Sequence, residues 1–191
     1  MNDLATSALG LGRPEDARAF LERNTDIEAV QLVITDANGV GRGKNIAREE
    51  LDALYGPGRN VAGSILGLDV TGEDVEETGL VWSVGDADQC CRPVAGSLAR
   101  ATWLTRPTAQ VLGTMFELDG QPARADPRHV LARVVNRLQS HGLTPVVAVE
   151  LEFYLLQRET DGRLQPARGL LSGARSARIR PASSLARRCS R

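Results

Sequence analysis

Lysine is almost missing from this chain: Lys44 stands alone against 22 arginines. That bias fits a GC-rich coding sequence better than any particular function. Cysteine is scarce too, with Cys90 and Cys91 adjacent and Cys189 far from both. An odd count without framework spacing excludes a disulfide scaffold, and no CxxC or Cys/His set suggests zinc. No apolar run approaches the roughly 18 residues that a spanning helix needs, so no membrane partner is expected. The first dozen residues lack the basic segment of a secretory signal, which leaves a cytoplasmic location as the expectation. Collagen, coiled-coil and wholly disordered chains are excluded by composition.

The chain has 191 residues, 42% of them hydrophobic, enough for one or two domains with a real core. Its formal net charge of −1 conceals a split. Residues 1–156 carry a net −8, and residues 157–191 carry a net +7 from nine arginines and two acids. Beyond Gly162 there is no Asp or Glu at all.

Local signals divide the body into elements. Pro14-Glu15-Asp16 opens a helix, with proline in the first turn and acids at the positive end of the dipole; it runs out near Asn24. Ile27 to Thr35 reads as a strand. Asn38-Gly39 can adopt positive φ and turns the chain into a second strand, Val40 to Ile46. Arg48 to Tyr55 is a short helix closed by Gly56-Pro57. Residues 56–79 are glycine-rich and then acidic, with Asp69, Glu73, Asp74, Glu76 and Glu77 reading as a solvated loop rather than a metal loop. Short strands are expected around Leu80–Val84, Ala101–Thr105 and Gln110–Leu118, followed by a tight turn at Asp119-Gly120. Mixed strands and helices make this an α+β domain over about residues 25–120.

A second helix is capped by Asp126, started by Pro127 and stopped by Gly142. Val130, Leu131, Val134, Val135 and Leu138 fall on one face. His129 and His141 read as surface or helix-end histidines rather than ligands. Thr144 to Leu156 then reads as a long, mostly buried strand. Glu150 and Glu152, two residues apart, project to the same face of such a strand. Paired carboxylates repel each other, and a hard cation such as Mg²⁺ or Mn²⁺ relieves that repulsion. A water-facing pair of ordinary glutamates satisfies the same pattern.

The order of segments carries more than any one motif. A hairpin ITDANGVGRGKNIA precedes GSILGLDVTGED, then GDADQ, AQVLGTMFELDGQP, ADPRHVLARVV and GLTPVVAVELEFYLL. This succession, over about residues 27–156, resembles the N-terminal part of the glutamine synthetase family. It looks most like the branch that joins glutamate to polyamines or other amines. The helix opened by Pro14 makes residues 1–24 a helical leader, and the resemblance implies a β-grasp domain over 25–120. The start of a catalytic domain follows over 126–156, left incomplete. It implies a ligase of nitrogen metabolism that forms an amide between glutamate and ammonia or an amine through an acyl phosphate, using ATP and Mg²⁺ or Mn²⁺. Glu150 and Glu152 correspond to two of the family's metal ligands, and the β-grasp domain to a surface through which subunits join.

Two departures accompany the resemblance. Ammonia-using members carry Asp-Gly-Ser-Ser where this chain has Val61-Ala62-Gly63-Ser64, which favours an organic amine or no activity. The family's nucleotide-binding and remaining metal-binding motifs lie farther along and are not found in this sequence. The expectation is therefore a fragment that holds no functional cofactor and is inactive alone. The alternative is a non-catalytic β-grasp module that joins full-length rings as a homo-oligomer. The tail of 157–191, patternless from about Gly169, is open to three readings: another reading frame, a disordered basic arm, or an unusual folded extension. It contains no aromatic residue, so a nucleic-acid stacking platform is not expected.

Overall fold

The structure is a computed structural model that describes residues 10–166. The amino-terminal leader before Gly10 and the arginine-rich tail after Pro166, with Cys189, lie outside the described residues. The chain divides into two compact units, Met1–Pro145 and Val146–Arg191.

The first unit is built on a mixed sheet. Helix α1 (Pro14–Arg23) leads into strand β1 (Ala29–Thr35), which turns back antiparallel as β2 (Gly41–Ala47). The turn forms where expected: Gly39 sits at φ 77°, and Asp36 Oδ1 accepts from the backbone N–H groups of Asn38 and Val40. A 3-10 turn and helix α2 (Leu51–Tyr55) follow, then β3 (Arg59–Ala62), β4 (Asp88–Pro93), the two-residue β5 (Ala99–Arg100) and β6 (Thr108–Phe116). The order across the sheet is β2-β1-β6-β4-β3, with β5 also on β6. β1 and β6 run parallel at the centre, and the other pairs are antiparallel.

Alternation along the central strands makes the core. Val30, Leu32 and Ile34 of β1 and Val111 and Met115 of β6 are buried on one face. α1 adds Ala17 and Phe20 to that core, and α2 adds Leu51, Leu54 and Tyr55. Close packing leaves no room at Gly113, where a Cβ would lie 2.4 Å from Cys91 Sγ.

Several expectations are corrected here. Leu80–Val84 is not a strand: Trp82–Val84 is a 3-10 turn closed by Gly85 at φ 65°, and Trp82 is 75% exposed. The strand falls later, at β4. Of the stretch expected around Ala101–Thr105, only the preceding Ala99–Arg100 pairs with β6. Helix α3 (Pro127–Ser140) keeps its expected limits, but Val130, Leu131 and Val134 are exposed, and the buried residues are His129 and Ala132. That part of its apolar stripe stands open, whereas Val135 and Leu138 are half-buried.

The second unit corrects the largest expectation. Residues 143–155 hold no regular secondary structure. Val146, Val147, Val149 and Tyr154 are at least 80% exposed. A strand exists only through hydrogen bonds to a neighbour, and no described strand pairs with this segment. What does form is a hairpin of β7 (Leu156–Arg158) and β8 (Leu164–Pro166), turned through Asp161 and Gly162 at φ 84°.

Candidate functional site

Glu150 and Glu152 lie in that exposed, irregular segment. Neither makes a hydrogen bond or ion pair with another described residue, and no group of three or more His, Cys, Asp or Glu gathers among the described residues. The sequence pair is thus two exposed carboxylates, with no third such group gathered beside them among the described residues. Oxygen donors of this kind suit Mg²⁺ or Mn²⁺, which keep several waters when the protein supplies few ligands. Carboxylate oxygen is the donor type for the Mg²⁺ or Mn²⁺ that the resemblance implies.

The helix before this segment starts at a buried polar junction. Asp126 is 2% exposed and accepts three hydrogen bonds: from Thr114 Oγ1 at 2.7 Å, Met115 N at 2.7 Å and Arg128 N at 2.8 Å. The last is the N-cap bond the sequence signalled. The first two reach across to β6, so one carboxylate both starts α3 and fastens it to the sheet. His129, expected at the surface or at a helix end, sits in the first turn of α3 but is 1% exposed, and packs edge-on against Phe116, ring centroids 4.8 Å apart. Its Nε2 lies 2.8 Å from the Met115 carbonyl, which can only accept, so Nε2 carries the proton and donates. His129 is a structural tie rather than a ligand.

A second polar lock holds the hairpin. Asp36 is 1% exposed, and Arg42 Nε donates to its Oδ2 at 2.9 Å. Arg42 also donates to the Asp69 carbonyl, and Asn38 Nδ2 donates to the Leu68 carbonyl at 2.9 Å. Burial raises the Asp36 carboxyl, but the Arg42 guanidinium and the Val40 and Asn38 amides outweigh it, and the net shift is downward. The acidic stretch beyond is organised by Asp69, whose Oδ1 accepts from Thr71 N, Thr71 Oγ1, Gly72 N and Glu73 N. The acidic part is a self-capped loop as expected, but the earlier part of 56–79 is not: Arg59–Ala62 pairs as β3, and Val61 and Leu66 are buried.

Cys90 and Cys91 are free thiols. Burial, with smaller contributions from Cys90 and Asp126, pushes the Cys91 thiol up to about 12, so it is inert at neutral pH.

With the geometry described, the molecule can be compared with known proteins. A crystal structure described as a novel glutamine synthase homolog superposes with a TM-score of 0.51 at 21% identity, over 60% of this chain and 27% of the other. The chain therefore has a mixed α/β fold, shared in part with that homologue. A family model for the glutamine synthetase catalytic domain matches residues 124–184, a stretch containing both Glu150 and Glu152. The gamma-glutamylputrescine synthetase of Escherichia coli (strain K12) is 42% identical over 154 residues, 80% of this chain and 32% of that protein. The glutamate–isopropylamine ligase of a Pseudomonas species is 31% identical over 143 residues, 73% of this chain and 30% of that protein. The chain belongs to the glutamine synthetase family, in its polyamine-synthetase-like branch. It spans about a third of the length of the curated relatives it matches.

The match to residue 184 runs past Gly169, farther than the motif order through residue 156. No helix among the described residues is long and apolar enough to cross a membrane.

Proposed function

We propose that this chain provides the amino-terminal portion of an ATP-dependent ligase that joins glutamate to an organic amine. The observation that carries the reading is the catalytic-domain match over residues 124–184, because it takes in the two glutamates singled out by spacing. In this reading the sheet of the first unit is the β-grasp domain over about residues 25–120, and the catalytic domain begins at Asp126. Relatives named for putrescine and isopropylamine, and the Val61-Ala62-Gly63-Ser64 stretch, favour an amine over ammonia.

Glu150 and Glu152 would hold a divalent cation as two of its oxygen donors. When bound, the cation neutralises phosphate charge during phosphoryl transfer. Asp126, Thr114 and Met115 fix the start of α3, the helix that precedes the two glutamates in the chain. Two carboxylates do not make a nucleotide site, and the chain spans a third of its relatives' length. By itself the 191-residue polypeptide is then expected to be inactive.

The test is direct. Purified chain, given ATP, Mg²⁺, glutamate and putrescine, should release no phosphate above background. Joined to the remaining two thirds of the Escherichia coli relative, residues 1–156 should support release. Amine-dependent turnover by the isolated chain, or a folded but inactive graft, would overturn the reading.

A further inference from the structure

A small cavity of about 210 Å³ lies between the 3-10 turns and the sheet, lined by Gly63, Leu80, Val84, Gln89 and Glu117 among others. Gln89 is 6% exposed, and its Nε2 donates to Glu117 Oε1 at 3.1 Å. Because a carboxylate oxygen can only accept, this bond fixes which way round the amide sits. The other amide atom is then Oε1, and it is buried without any hydrogen-bond partner. Glu117 makes no ion pair among the described residues. The charged residues lining the cavity are Glu117 and Asp88, both acidic.

An orphaned buried acceptor costs about 1–3 kcal/mol, and a half-buried carboxylate without a countercharge adds to that. A water molecule satisfies the acceptor but leaves the charge. A divalent metal demands about six oxygens and meets an amide, one or two carboxylates and aliphatic walls instead. A primary ammonium supplies three N–H donors and one positive charge, and Leu80 and Val84 suit the methylenes behind it. Gly63 makes room: a Cβ there would lie 3.2 Å from Gln89 Cδ.

We propose that the Gln89–Glu117 cavity is a binding site for a primary alkylammonium group on a short aliphatic chain. Only the further step of calling that amine the ligase's substrate rests on the function proposed above.

Titration calorimetry of the full 191-residue chain with 1,4-diaminobutane, and with uncharged 1,4-butanediol, tests the site. The diamine should bind and the diol should not. Glu117→Gln and Gln89→Leu should each weaken diamine binding about tenfold or more, the loss of one charge-assisted bond. Gln89→Leu removes the orphaned acceptor and the Nε2 bond to Glu117 together, so its thermal midpoint should stay close to the parent's and shows that the variant is folded. Absence of diamine binding, equal binding of the diol, wild-type affinity in both variants, or displacement by millimolar Mg²⁺ would each overturn the proposal. The outcome is separable from the ligase reading. That reading fails on the graft's activity, which can be measured whether or not the isolated chain binds the diamine.

Discussion

Replacing Asp36 by alanine is the sharpest test of what holds the hairpin. The carboxylate is 1% exposed and accepts from Asn38 N, Val40 N and Arg42 Nε, each at 2.9 Å. Its removal strands a guanidinium whose side chain is only 14% exposed and leaves two turn amides seeking acceptors. Breaking one partner of such a buried pair costs about 3–5 kcal/mol, because the remaining charge is uncompensated. With a urea slope of about 2 kcal/mol/M, the denaturation midpoint should fall by about 2 M at unchanged slope. Asp36→Ala with Arg42→Ala should recover part of the loss, since the stranded charge is gone. The pH dependence has a definite sign. The folded Asp36 carboxyl titrates below its ordinary value of 3.8, so its stabilisation is full above that value and lost as pH falls through the lower folded pKa. The gap between the protein and Asp36→Asn should therefore be constant from pH 5 to 7 and narrow at acid pH. A loss under about 1 kcal/mol for Asp36→Ala at pH 7, or a gap that widens with acid, would refute the reasoning.

Other consequences follow from the same packing. Asp126→Ala removes three hydrogen bonds from a buried junction and should destabilise the chain by about 3 kcal/mol by urea denaturation, more than the roughly 1 kcal/mol of a simple cap. Gly113→Ala must push against Cys91 Sγ and Leu32 Cδ1 and should cost about 1–3 kcal/mol, read as a lowered thermal midpoint. Cys91 should resist a thiol reagent in the native chain at pH 8 and react only on unfolding, whereas Cys90, half-buried, should react first. Equal rates for the two thiols would contradict its burial.

Much of the fold is legible wherever a residue type has one dominant use. Asp126-Pro127 marks the start of α3, Asn38-Gly39 turns the first hairpin, and Pro14 opens α1, all through local backbone chemistry. β4 escapes the reading because its inward positions are Gln89, Cys91 and Pro93, which give a buried face without the large apolar residues that signal one. Residues 144–156 mislead in the opposite direction: their composition is that of a strand, but composition cannot supply the neighbouring strand that must hydrogen-bond to it. The apolar side of α3 misleads in the same way. Glu150 and Glu152 stand out by spacing alone, whereas Gln89 and Glu117 are 28 residues apart and meet only through the register of β4 against β6. No local pattern announces such a pair.

The central claim is that Glu150 and Glu152 are metal ligands of an amine ligase. The measurement that tests it most directly uses the graft of residues 1–156 onto the remaining two thirds of the Escherichia coli gamma-glutamylputrescine synthetase. Mn²⁺ affinity and putrescine-dependent phosphate release are measured with Glu150→Gln and with Glu152→Gln. Residues that merely orient metal ligands cost about 10–100-fold when lost, so each direct ligand should cost at least about 100-fold in turnover and weaken Mn²⁺ binding. Folded variants that keep the parent's Mn²⁺ affinity and turnover would contradict the account.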